Sequence, residues 1–252
     1  LRKNTKPRHV EPLRENQREI PRTPDYGSKE LPMKKLLTEW RKYVLTEGMK
    51  TAAKLPQGSA IAMMSRGTNP MFVYTYGGKP LYDEPNPRFN PGVPEGVPWG
   101  EVLIGKLKPN SQGNCSDAYG VDHSEAKRGW GPLLYDVAME WASQNGGGLT
   151  SDRGSVSQKA YRVWKHYLNS RPDVESAQLD IRNKGYEKIT PDDESDDCEQ
   201  SISIKWSRYY RTSNEFGWSA EPTAYLYRVS GTPTTDALRA SGQFLELGDR
   251  SP

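Results

Sequence analysis

The fold is decided by residues 118–169, AYGVDHSEAKRGWGPLLYDVAMEWASQNGGGLTSDRGSVSQKAYRVWKHYLN. A short β-type run at 118–122 leads into Arg128-Gly129-Trp130-Gly131. Pro132 then stands where a helix begins, a position at which its missing N–H costs nothing. Leu133, Leu134, Val137, Ala138 and Trp141 follow at helical spacing, and Gly146-Gly147-Gly148 ends that helix. Residues 149–152 read as a short strand, and Ser155 caps a second helix through Leu168 that buries Ala160, Val163, Trp164, Tyr167 and Leu168. Strand, glycine-rich turn, helix, strand and helix in this order form an anion-binding arrangement. The first helix presents free backbone N–H groups at its start, and its dipole favours negative charge there.

Further strands lie on both sides of this segment. Upstream, 59–65 (SAIAMMS) and 70–76 (PMFVYTY) are β-type runs joined by a turn around Gly67 and Asn69, and Gly77-Gly78 allows a hairpin into 80–82. A loop over 84–99 holds Pro85, Pro87, Pro91, Pro94 and Pro98, and 101–106 (EVLIGK) is the next strand. Downstream, 201–206 (SISIKW) and 223–229 (TAYLYRV) read as strands, and Arg208 to Arg211 with Phe216 to Trp218 form an aromatic-basic loop between them. Residues 231–252 read as a short C-terminal tail. The pattern predicts one α/β (α+β) domain over 48–230, a mixed central sheet flanked by helices.

The chain has 252 residues and a mass of 28.4 kDa, a length that suits one domain with appendages or two small ones. A hydrophobic fraction of 34% and a mean hydropathy of −0.88 supply one core, not one beneath every residue. The 7 Trp, 14 Tyr and 4 Phe need somewhere to pack, which excludes a wholly disordered chain. No apolar run approaches the roughly 20 residues of a membrane span, and the N-terminal residues lack the apolar centre of a signal peptide. Two cysteines, Cys115 and Cys198, are too few for a disulfide scaffold or a zinc cluster, so a reducing compartment is the expectation. Three histidines (His9, His123 and His166) argue against a His-rich metal site.

The net charge of +3 is local. Residues 1–32 hold eight of the 35 Lys/Arg and five of the 32 Asp/Glu, and the remaining 27 of each cancel. A nucleic-acid footprint gathers Lys and Arg on the folded part, so the pI of 8.7 does not point to one. Residues 192–199 (DDESDDCE) place six carboxylates in eight positions. They lack the spaced ligands and glycine bend of a calcium loop and read as solvated.

Residues 1–32 contain Pro7, Pro12, Pro21, Pro24 and Pro32 and almost no periodic apolar positions. Two readings stay open: a disordered arm, or upstream sequence that is not translated. The second rests on Met33 being the first methionine and on Lys29-Glu30, which AAG-GAG, a bacterial ribosome-binding string, encodes. From Met33 onward, Leu36, Leu37, Trp40 and Val44 recur at helical spacing, an amphipathic helix over 33–47 that Gly48 ends.

The segment from Arg128 through the second helix resembles the GNAT acyltransferase superfamily. Its motif A reads Arg/Gln-x-x-Gly-x-Gly/Ala between strand and helix, and its next helix commonly reads Asn-x-x-Ala-x-x-Leu-Tyr. Arg128 and Gly131 match the first two motif positions, whereas Leu133 replaces the final small residue and Pro132 removes one N–H donor. In the second helix Ser157 stands for Asn, Ala160 matches, Val163 stands for Leu, and Trp164 falls where the family often has its acid tyrosine. The resemblance implies acetyl-CoA as acyl donor, held by Arg128, Gly129, Trp130, Gly131, Leu133 and Ser157, and an amine acceptor on a small molecule or protein. Tyr167, about one turn past Trp164, replaces that acid or packs as a core aromatic. Asp122, His123 and Glu125 are the candidate bases, each equally readable as a solvated loop residue. The helix over 33–47, ending Leu45-Thr46-Glu47 before Gly48, is similar to the capsid-targeting peptides of large tailed phages, which a prohead protease cuts after such a motif. That implies a phage protein, in the host cytoplasm or in the virion, with phage head proteins as partners. The alternative to an enzyme is a virion component that keeps the fold without catalysis.

Overall fold

The computed structural model describes residues 49–85, 90, 92–108, 114–179, 192–198, 203–204 and 221–247. The helix expected over 33–47 and the aromatic-basic loop from Arg208 to Trp218 lie outside them. Strands β1 (Ser59–Arg66) and β2 (Asn69–Tyr76) form a hairpin, paired from Ser59↔Tyr76 to Arg66↔Asn69. Gly67, at φ +65°, supplies the left-handed turn residue between them. Strand β3 (Lys79–Pro80) folds back on β2, and β4 (Gly100–Lys106) and β5 (Tyr119–Ala126) extend the sheet antiparallel. Helix α1 (Gly131–Asn145) crosses to β6 (Leu149–Thr150), which runs parallel to β5. Then come β7 (Ser155–Val156), α2 (Gln158–Ser170), β8 (Val174–Gln178), β9 (Ser203–Ile204), β10 (Tyr225–Val229), α3 (Pro233–Ala240) and β11 (Phe244–Glu246).

Among the described residues, one open mixed sheet has the strand order β11-β1-β2-β4-β5-β6-β10-β8, with β3 beside β2 and a separate β7–β9 pair. The result is a mixed α+β fold on a single main sheet, as the alternating pattern predicts. Strand alternation sorts side chains onto the two faces. Ile61, Phe72, Tyr74, Val102, Ile104, Tyr119, Val121 and Tyr227 share one core with Leu133, Leu134 and Val137 of α1, Trp164 and Tyr167 of α2, and Leu238 of α3. The alternate residues Ala62, Met64, Met71 and Val73 form a second cluster with Leu103 packed against it. No helix among the described residues is long and apolar enough to cross a membrane.

Four features differ from the sequence reading. First, β5 runs four residues further than expected, so His123 and Glu125 lie within the strand with Asp122 rather than in a loop after it. Its polar residues tolerate strand geometry because β4 pairs with them to the end, Gly100↔Ala126. Second, α2 is capped by Ser157, whose Oγ accepts the Ala160 N–H at 3.2 Å, while Ser155 pairs with Ser203 in the small sheet. Third, 231–252 is more than a tail. It contains α3 and β11, and β11 pairs with β1 parallel, Ile61↔Phe244. Fourth, Cys115 and Cys198 are joined as a disulfide, which removes the argument for a reducing compartment from unpaired cysteines.

Candidate functional site

Strands β5 and β6 are paired only at Tyr119↔Leu149 and Gly120↔Thr150. Strand β5 then continues to Ala126, and among the described residues no strand pairs with that edge beyond Gly120. A β-bulge marks where the ladder stops: Leu103 faces His123 while Ile104 faces Val121, leaving Asp122 as the extra residue. An open half-edge inside a sheet, at the carboxyl end of a parallel pair, is where α/β folds place ligands. It offers backbone N–H and C=O groups to an extended ligand.

The turn from β5 into α1 closes this crevice. Gly129 has φ +86°, the left-handed conformation that glycine adopts freely. Trp130 is not a surface residue of the turn. It is buried, lies edge-on to Tyr74 (5.8 Å between centroids, 80°) and accepts the Tyr74 hydroxyl on its carbonyl at 2.7 Å. Only its backbone borders the turn. Gly131 opens α1, and a Cβ there would meet nothing closer than Ala126 Cβ at 3.8 Å. Leu133, the departure from the motif, is 1% exposed and belongs to the core, so its bulk is directed away from solvent. Arg128 is exposed, and among the described residues it makes no ion pair. Lys50 joins the site through the chain: its N–H donates to the Gly129 carbonyl at 3.0 Å. Lys127 anchors the Pro-rich loop, donating from Nζ to the Val97 carbonyl at 3.2 Å. Lys127 and Arg128 thus precede α1 directly and the Lys50 backbone is tied to the same turn; of the three the motif shows only Arg128. Lys50 lies 78 positions earlier and carries no motif of its own.

Two carboxylates stand near the open edge of β5, Asp122 leaning over β4 and Asp152 in the turn after β6. Asp122, though exposed, rises above the ordinary carboxylate range, first because part of its water shell is displaced and then because Asp152 repels its charge. Its Oδ2 accepts from Asn69 Nδ2 at 3.1 Å. Gly105 makes the room, since a Cβ there would lie 2.5 Å from that oxygen. Asp152 acts as a turn residue, its Oδ1 accepting from Gly154 N at 2.6 Å and Ser155 N at 3.1 Å. His123 Nε2 lies 3.7 Å from Glu101 Oε1, and Glu125 pairs across from Glu101 in the ladder.

Tyr167 is 1% exposed. Its hydroxyl lies 2.9 Å from Asp136 Oδ1 and 3.3 Å from the Pro132 carbonyl, and Arg171 Nη1 reaches the same Asp136 oxygen at 2.8 Å. Burial, then Asp136, hold its pKa well above that of a free tyrosine. Trp164, stacked on Tyr227 (5.3 Å, 27°), is equally core. Sequence reasoning missed Tyr135 of α1, whose hydroxyl lies 2.8 Å from Ser124 Oγ on β5. Burial pushes Tyr135 up to about 12, opposed by the Ser124 hydrogen bond and aided by Asp152 across the crevice. The signal for Tyr135 was weak: it follows two leucines in a helix whose apolar face accounts for it equally well. Ser157, at the far lip, spends its hydroxyl on the α2 cap. Compared with known proteins, the chain matches no family model, no curated protein and no solved structure.

Proposed function

We propose that the chain is a GNAT-like acyltransferase, of phage origin, that takes an acetyl group from acetyl-CoA to an amine acceptor. The observation that carries this reading is the two-residue parallel pairing of β5 and β6, with the unpaired edge of β5 running from it to the start of α1. Acetyl-CoA fits the residues present. The first-turn N–H groups of α1 and the basic Lys50, Lys127 and Arg128 suit its phosphates, and the unpaired edge of β5 suits its amide-bearing arm. Gly131 leaves the approach open, and Leu133 stays in the core. Bound there, the cofactor supplies an activated thioester. Asp122 is the candidate base for the proton of the amine, its carboxyl standing above the ordinary carboxylate range and beside the start of the unpaired edge. Ser124 and Tyr135, bonded to each other beside β5, would orient the acceptor as polar groups, whereas Tyr167 spends its hydroxyl on Asp136.

The engagement of Tyr167 favours a second reading, a head-packaged virion component that keeps the fold without catalysis. An assay of thiol release from acetyl-CoA across small amines, polyamines and peptide amino termini separates the two. The enzyme reading predicts amine-dependent release above the uncatalysed rate, and no release with any amine supports the virion component. Mass spectrometry of the chain from phage heads tests the targeting segment: the expected product begins at Gly48.

A further inference from the structure

The disulfide lies at the closed end of the crevice. Just before β5, Cys115, Ser116 and Asp117 all have left-handed φ, +50°, +48° and +59°. Three consecutive non-glycine residues in that region persist only where their surroundings hold them. Here the holding is done by the acidic segment 192–198. Cys115 N donates to the Asp197 carbonyl at 3.0 Å, Asn114 Nδ2 to the Glu194 carbonyl at 2.7 Å, and Ser116 N and Oγ both to the Ser195 carbonyl. The Cys115–Cys198 bond closes the clasp, and both cysteines are fully buried with Leu107, Ala118, Leu179 and Leu226. The acidic run that reads as solvated is therefore docked at its C-terminal end.

The clasped turn bears directly on the two strands that define the crevice. The Asp117 carbonyl accepts the Gly147 N–H at 2.9 Å, and Tyr119 N donates to the Gly148 carbonyl at 2.9 Å. Tyr119 and Gly120 are the residues of β5 that pair with β6. A Cβ on Gly147 would lie 1.9 Å from the Ser116 carbonyl oxygen, so the fit between the turn and the end of α1 has no slack.

We propose that the Cys115–Cys198 bridge is a redox clasp on the hinge of the β5/β6 crevice, which holds the crevice in its ligand-binding shape when oxidised and loosens it when reduced. The reductant is a dithiol. One of its thiolates attacks a cystine sulfur and expels the other cysteine as a thiolate, which takes up a proton. The second dithiol sulfur then resolves the mixed disulfide, so that two cysteine thiols form and the dithiol becomes a disulfide. Because both sulfurs are buried, attack follows local release of 192–198. Without the bond, the left-handed turn loses its tether and the hinge contacts to Gly147 and Gly148 weaken.

The effect on ligand affinity rests on the acyl-CoA reading above, whereas the loosening of the hinge does not. The test uses the full chain, air-oxidised or treated with dithiothreitol, followed by amide hydrogen exchange and acetyl-CoA calorimetry. Reduction is expected to lower protection at Tyr119 and Gly147 while the β1–β2 hairpin keeps its own, and to weaken acetyl-CoA between about 5- and 150-fold. The Cys115→Ser, Cys198→Ser double variant is expected to match the reduced protein without any reductant. Two free thiols in the untreated protein, unchanged protection at Tyr119 and Gly147, or loss of protection across the whole sheet would each overturn the clasp. Equal acetyl-CoA affinity in both states would overturn the gating. If neither state binds acetyl-CoA, the acyl-CoA reading and the gating fall together, and hydrogen exchange alone decides the clasp.

Discussion

Asp122 occupies the bulge where β5 leaves β6, and its raised pKa has two separable consequences. Ionising it in the folded chain is harder than in the unfolded one, so the stability it contributes is full at low pH. That contribution is lost as pH rises from the ordinary carboxylate value, about 3.9, through the raised folded value. Asp122→Asn removes this loss. Urea denaturation between about pH 4 and 8 is expected to show the variant gaining on the wild type as pH rises, with the gap then level; a gap that shrinks with pH contradicts the assignment. If Asp122 is also the base, the same variant lowers amine acetylation by about 10²–10⁴-fold.

At the scale of elements, a glycine and a carboxylate fix the C-terminal half of α1. Gly147→Ala drives a methyl group into the Ser116 carbonyl, a backbone atom that has no rotamer to move, and is expected to cost about 1–3 kcal/mol or more. A chemical denaturation midpoint equal to wild type would show that the turn is slack. Glu140 of α1 is 2% exposed and accepts from Thr234 N (2.6 Å), Thr235 N (2.8 Å) and Thr235 Oγ (2.7 Å), filling the start of α3. Glu140→Gln replaces charged acceptors with one neutral acceptor and is expected to cost about 1.5–3 kcal/mol by the same measurement. These contacts also explain what the sequence could and could not reveal. Elements with strong local signals were legible: β1 and β2 by β-type runs around a glycine turn, and α1 by Pro132 and the glycine triplet. Helix α3 was hidden because its eight residues bury only Thr235 and Leu238, too few for a periodic stripe. Strand β8 was hidden because VESAQ is an edge strand whose pairing with β10 is long-range. The turn at Arg128 was legible as a motif. Lys50, Asp122 with Asn69, and Ser124 with Tyr135 were not legible as a site, because a backbone bond to Gly129, a bulge and long-range packing place each of them.

For the whole molecule, the C-terminal residues complete the sheet rather than trail from it. Leu238 is fully buried, and Gln243 Nε2 donates to the carbonyls of Leu55, Pro56 and Ser59, each at 3.1 Å. Ending the chain at Ser230 removes all of these with β11. Leu238 alone accounts for about 2–5 kcal/mol, a large part of a typical domain stability of about 5–15 kcal/mol. The shortened chain is expected to lose its cooperative thermal transition by circular dichroism, and a melt at the wild-type temperature would return 231–252 to the status of a tail.

On the proposed function, the crevice between β5 and β6, with the start of α1, binds acetyl-CoA. Calorimetric titration of acetyl-CoA into the oxidised wild type and into Gly131→Asp tests it most directly. A Cβ at Gly131 meets only ordinary contact, Ala126 Cβ at 3.8 Å, so the two proteins are expected to melt alike, while the new carboxylate repels the phosphates at the positive end of the helix. Saturable binding at one site is expected in the wild type and none in the variant. No binding to the wild type, or equal affinity in both proteins, would contradict it.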